Sequence, residues 1–154
     1  MAAEQRWLTD GEQRAWQAYR RMFLLLNARL SRDLAKDGLS DPDYDVLSNL
    51  GASPDRRRRV SELADRMLWS TSRLSHQITR MQRRGLVVRE ECATDGRGAV
   101  VALTDAGMRT LEDAAVHHVE SVRAYFIDLL TPAQLDAFTE IGEAVVRNLG
   151  GDRR

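Results

Sequence analysis

The sequence predicts a mainly α protein with one small β-hairpin, an α+β chain in which a short mixed segment lies between long helices. Three observations carry this. Apolar residues recur at steps of three and four near both ends of the chain. Proline and glycine stand where helices start and stop. Two Val/Leu-rich runs, "LVVRE" and "AVVALT", flank the glycine-containing stretch "CATDGRG" at residues 92–98.

The first helix is expected at about residues 10–36, where Trp16, Tyr19, Phe23, Leu26, Leu30 and Leu34 form one stripe and Gly38 suits the C-terminal cap. Asp41 is expected to cap a second helix, with Pro42 at its first position and Tyr44, Leu47 and Leu50 as its apolar face. "SPDRRRR" reads as a loop, and the arginine run 56–59 as a solvated one. A third helix at 61–68 buries Leu63, Ala64 and Met67. A turn around Trp69 and Ser70 leads to a fourth at 71–84, stopped by Gly85. Its apolar positions are Leu74, Ile78 and Met81; Ser72, Arg73, Ser75, His76, Gln77, Thr79 and Arg80 are read as its outer surface. After the hairpin, Thr104 caps a helix of about 105–130. Thr131, Pro132 and Gln134 then open a last helix with a capping box, whose stripe is Leu135, Phe138, Ile141, Val145 and Leu149.

Composition narrows the function classes. The 154 residues fit one domain or subunit, with 43% hydrophobic and 30% charged side chains. No apolar run approaches the roughly 20 residues of a membrane span. "MAAEQRWLTDGEQ" has no basic segment followed by an apolar one, so a cytoplasmic protein without a membrane partner is expected. Cys92 is the single cysteine and excludes an internal disulfide. It follows Glu90 and Glu91, and neighbouring acid does not lower a thiol pKa, so no redox role is assigned to it. His117 and His118 are adjacent and point to different sides of a helix, which suits solvent and interface positions rather than a metal pair. With no nucleophile elbow, phosphate loop or metal-spaced His/Cys/Glu set, neither enzyme activity nor a cofactor is expected.

Net charge is zero, but its distribution is uneven. Residues 1–55 carry 7 basic and 9 acidic groups, residues 56–103 carry 11 and 5, and residues 104–154 carry 5 and 9. The middle third, at net +6, is the part suited to a polyanion.

That middle third reads as a helix-turn-helix followed by a wing. In such a unit the second helix enters the major groove by its N-terminal end. Arg73 suits guanine, Ser72, Ser75 and His76 suit base edges or phosphates, and Arg80 suits a phosphate. The N–H groups at Thr71 and Ser72 suit a backbone phosphate. At the wing tip Arg97 suits a narrow minor groove, with Asp95 bracing its guanidinium. Packing the terminal helices of two copies together would bury their stripes, so a two-fold homodimer on double-stranded DNA is expected. Trp16, Tyr19 and Phe23 are candidate wall residues for a small aromatic or phenolic effector. The alternative is a dimeric winged-helix module that binds protein.

"VSELADRM", "STSRLSHQITRMQRRGLVVRE" and "TDGRGAVVALTDAG" resemble the MarR (multiple antibiotic resistance regulator) family of winged-helix repressors. The Asp-x-Arg wing, here Asp95 and Arg97, followed by G-x-x-V-x-L-T-x-x-G, is the most specific part. The resemblance implies a single subunit over 1–154, with a winged helix-turn-helix at 40–103 and dimerisation helices at 8–37 and 105–150. It further implies a homodimer on a pseudo-palindromic operator, commonly a repressor released by a small ligand. His76 stands where the family often has arginine. Peroxide-sensing members place their cysteine in the first helix, and this chain has none there.

The wing assignment predicts that Arg97→Ala weakens operator binding in a gel shift while molecular mass and melting temperature stay unchanged. Unaltered affinity would remove the wing from the interface.

Overall fold

A computed structural model describes residues 6–91 and 99–150. The elements in chain order are α1 (Asp10–Lys36), α2 (Asp41–Gly51), β1 (Arg57–Arg59), α3 (Val60–Arg66), α4 (Thr71–Arg83), β2 (Val87–Glu91), β3 (Ala99–Leu103), α5 (Asp105–Tyr125), a 3-10 turn (Ile127–Leu129) and α6 (Pro132–Asn148). They divide into two compact units, residues 27–118 and a second built from both ends of the chain.

The 27–118 unit holds the core. Val46, Leu47 and Leu50 of α2, Leu63 of α3, Leu74, Ile78 and Met81 of α4, and Val101 of β3 are fully buried. Fully burying one such side chain is worth about 1.5–3 kcal/mol, so these residues carry much of the unit's stability. α4 presents its stripe as expected, but Gln77 belongs to the inward face as well, with 3% of its surface exposed. The expectation that Gln77 lies on the outer surface is therefore corrected.

The sheet has three strands rather than two, ordered β1-β3-β2 and antiparallel throughout. β1 is the "RRR" of the run read as a loop, and it pairs Arg58 with Val101. A polar edge strand carries no apolar alternation, so its signal is weak; here β3 supplies the partner. The arginines are engaged within the protein. Arg57 pairs with Glu90 at 3.1 Å, Arg58 with Glu62 at 2.9 Å and with the Asn49 carbonyl at 3.1 Å, and Arg56 lies 3.7 Å from Asp105.

Three helix ends close in the same way. After α1, Leu39 N–H donates to the Leu34 carbonyl and Gly38 N–H to Ala35. After α4, Leu86 donates to Met81 and Gly85 to Gln82. After α3, Trp69 donates to Ala64 and Leu68 to Asp65. This is the Schellman pattern, which needs a left-handed residue just past the helix. Gly38 (φ +74°) and Gly85 (φ +72°) adopt it freely, whereas Leu68 does so at φ +53°. A non-glycine residue there costs on the order of 1–2 kcal/mol. The helix-turn-helix turn thus contains a strained leucine with its side chain in solvent, 93% exposed.

Two caps differ from expectation. Ser40, not Asp41, caps α2, and Asp43 completes a capping box. The helix expected to run to 130 ends at Tyr125, because Phe126 leaves helical geometry (φ −141°, ψ −64°) and the chain continues as the 3-10 turn. α6 begins as expected, with Thr131 and Gln134 forming the capping box.

The second unit is built differently. Phe126 and Phe138 meet edge-on at 5.1 Å, and Arg123 pairs with Asp128 at 2.6 Å. Yet Trp16, Tyr19 and Phe23 on α1 and Ile141 and Val145 on α6 are all about half exposed or more, and α6 has no buried residue.

The motif that ends at Gly107 has a packing cause. The Thr104 hydroxyl donates to the Gly85 carbonyl (2.7 Å) and accepts from Gly107 N–H (2.9 Å). This draws the start of α5 so close that a Cβ on Gly107 would lie 2.0 Å from the Leu86 carbonyl oxygen. Gly107→Ala should therefore destabilise the fold by about 1–3 kcal/mol or more, read from the urea midpoint. A change within a few tenths would refute the close approach.

Candidate nucleic-acid interface

The candidate interface is the outward face of α4. Ser70 caps the helix by accepting from Arg73 N–H at 3.2 Å. Thr71 and Ser72 come earlier in the first turn, where helix N–H groups lack intrahelical partners. Thr71, Ser72, Arg73, His76 and Arg80 are exposed, and Ser75 is partly so. From 71 to 83 the helix has Arg73, Arg80 and Arg83 and no acidic side chain. Leu74, Ile78 and Met81 hold the opposite face in the core, so the polar face is the one presented.

Two of the arginines are held rather than loose. The Arg73 guanidinium lies over the Trp69 ring, 4.0 Å from its centroid. A cation stacked on an aromatic face keeps its in-plane N–H groups free to donate elsewhere. Arg80 donates to Gln77 Oε1. Gln77 in turn donates through Nε2 to Asp43 Oδ1 at 2.7 Å.

Asp43 is the centre of this arrangement. Its Oδ2 accepts from Ser40 N–H (3.0 Å), the Ser40 hydroxyl (2.9 Å) and Arg84 Nη1 (2.7 Å). Arg84 also donates from Nη2 to the Gly38 carbonyl, at the end of α1. Burial opposes ionisation of Asp43, but the Ser40 N–H and hydroxyl and the Arg84 guanidinium outweigh it and hold the carboxyl below its ordinary range. Spacing alone did not single out Asp43. The signal was the Ser-x-x-Asp of "SDPD", which marks a capping residue but not its distant partners.

The hairpin stems are defined up to Glu91 opposite Ala99. Asp95 and Arg97 lie outside the described residues.

A cavity of about 230 Å³ also lies within the 27–118 unit, walled by Leu30 and Leu34 of α1, Asp41, Tyr44 and Asp45 of α2, and His118 of α5. The Tyr44 and His118 rings are 4.5 Å apart, and His118 Nδ1 is buried without a hydrogen-bond partner among the described residues. Burial, helped by Asp41, raises the Asp45 carboxyl. His117 instead meets Asp37 at 2.8 Å. Trp16, Tyr19 and Phe23, the expected effector residues, do not wall this cavity; they stack on one another along α1, with ring centroids 5.6 and 6.2 Å apart.

Comparison with known proteins places this geometry. The model of the MarR family matches residues 37–98. The crystal structure of AbsC, a MarR family transcriptional regulator from Streptomyces coelicolor, is 44% identical, with a TM-score of 0.91 over 96% of this chain and all of that one. The chain belongs to the MarR family. A second MarR family regulator from the same organism, Sco3205, solved in complex with DNA, is 41% identical, with a TM-score of 0.90 over 95% of this chain and 92% of that one. The regulator MhqR of Bacillus subtilis is 21% identical over 128 residues, 83% of this chain and 86% of MhqR. This MarR protein has the family's winged helix-turn-helix, and among its described residues no helix is long and apolar enough to cross a membrane.

The depressed Asp43 carboxyl sets a pH dependence. A group whose folded pKa lies below its unfolded value contributes stability above the unfolded pKa, about 3.9 for aspartate, and loses it as pH falls through the folded value. The melting temperature should therefore drop as pH is lowered below about 4, and Asp43→Asn should flatten that drop while lowering stability at pH 7. An equally steep acid limb in the variant would rule out this role.

Proposed function

We propose that this MarR family protein is a sequence-specific double-stranded DNA-binding regulator that acts as a homodimer, with α4 as its major-groove reader. The observation that carries the reading is the exposed, acid-free face of α4, with Arg73 and Arg80 each held by a neighbouring side chain. Arg73 is assigned to a guanine edge, where a bidentate donor suits O6 and N7. Ser72, Ser75 and His76 are assigned to base edges or phosphates, Arg80 to a phosphate, and the Thr71 and Ser72 N–H groups to a backbone phosphate. Asp95 and Arg97 are assigned to the minor groove at the wing tip. That Sco3205, at 41% identity, was solved in complex with DNA supports DNA as the partner.

The homodimer rests on the half-exposed stripes of α1 and α6, whose burial would require a surface of equal apolarity. The segments 8–37 and 105–150 are assigned to it, leaving 40–103 to DNA. Two reading helices related by a two-fold axis would meet half-sites about one helical turn, roughly 34 Å, apart. Repression fits a protein that occupies a promoter. Release by a small aromatic ligand would use the Tyr44–His118 cavity, whose walls set Leu30 and Leu34 beside the polar groups of Tyr44, Asp45 and His118.

Selection from random duplexes, followed by binding at several salt concentrations, tests the reading. A pseudo-palindromic motif should emerge, and affinity should fall steeply with salt, each neutralised phosphate adding about −0.9 to the log–log slope. Arg73→Ala should cost about 1–3 kcal/mol and relax one position per half-site. A flat salt response would favour a protein-binding module instead.

A further inference from the structure

The buried amide of Gln77 is unusual for a helix whose inner face is otherwise Leu, Ile and Met. A buried polar side chain costs stability unless both its ends are paired. Here both are. Asp43 offers only acceptors and Arg80 only donors, so a single orientation of the amide satisfies them together: NH2 toward Asp43 and oxygen toward Arg80. A carboxylate at position 77 would confront Asp43, and an apolar side chain would leave Arg80 without its anchor. Glutamine is the adapter that turns the acceptor of a buried carboxylate into an acceptor for a surface guanidinium.

We infer that Gln77 is a positioning residue for DNA binding: the buried Asp43–Gln77 pair fixes the direction in which Arg80 presents its remaining N–H groups to a phosphate. Asp43 is itself fixed by Ser40 at the start of α2 and by Arg84, which is bonded to the Gly38 carbonyl. The line from Gly38 through Arg84, Asp43 and Gln77 to Arg80 therefore references one phosphate contact to the scaffold rather than to α4 alone. A free arginine side chain must lose much of its rotamer freedom when it meets a phosphate; one already bonded to Gln77 has lost part of it beforehand. This inference rests on α4 being the DNA-reading helix.

A double-mutant cycle tests it, with a fluorescein-labelled mixed-sequence duplex of about 30 base pairs, roughly three helical turns, read by anisotropy at low salt. Gln77→Leu and Arg80→Ala should each weaken binding about three- to tenfold, the scale of one charge-assisted contact. The double variant should bind no worse than Arg80→Ala alone, because Gln77 acts only through Arg80. Costs that add, or a Gln77→Leu protein that binds as well as wild type, would overturn the inference while leaving the DNA-binding reading intact. Wild-type protein that shows no salt-dependent binding would overturn both. Should Gln77→Leu fail to fold, arginine side-chain NMR of the wild type decides: the Arg80 guanidinium should rotate more slowly than that of exposed Arg83. Equal rotation would overturn the inference.

Discussion

The buried carboxylate of Asp43 constrains more of this structure than any other single group. An ionised carboxylate taken out of water costs several kcal/mol unless donors replace the lost hydration, while one neutral hydrogen bond returns only about 1 kcal/mol. One partner would not suffice, and Asp43 has several: the Ser40 N–H and hydroxyl from its own cap, Gln77 from α4 and Arg84 just beyond it. Donors 34 and 41 residues further along the chain must arrive at the right distances for the charge to remain buried. Satisfying that charge and placing α4 against α2 are therefore the same event.

From this the face of α4 acquires its character. Hydrophobic burial of Leu74, Ile78 and Met81 fixes which side points inward, but apolar contact tolerates small rotations and slides. The hydrogen bond from Gln77 to Asp43 does not, because its geometry is directional. Arg73 on Trp69 and Arg80 on Gln77 extend that order to the surface. In the proposed reading, donors to a duplex must stand at set positions, and the buried Gln77–Asp43 contact is the reference for them.

The two units solve the burial problem differently. Residues 27–118 close their own core, with β3 between β1 and β2 and α4 packed beneath. The unit made from the chain ends leaves Trp16, Phe23, Ile141 and Val145 half exposed or more. The apolar residues of the chain ends thus stay largely at the surface, whereas those of the middle segment are buried against one another.

Much was legible in the residues alone. Steps of three and four located α1, α2, α4 and α6, because one-sided burial of a helix imposes that period. Thr131, Pro132 and Gln134 marked a helix start, and Gly38 and Gly85 two ends, because capping and left-handed geometry depend on local chemistry. Even position 77 falls on the apolar face, at the i+3 step from Leu74, but its polar side chain argued for the outside. Only the fold could bring Asp43 to that side chain and make its burial favourable. Only the fold could make a strand of Arg57–Arg59, since an edge strand exists through its neighbour, and only the fold could hold Leu68 left-handed in the turn. Local periodicity and caps are written in neighbouring residues; a buried charge, an edge strand and a strained turn depend on partners that sequence distance conceals.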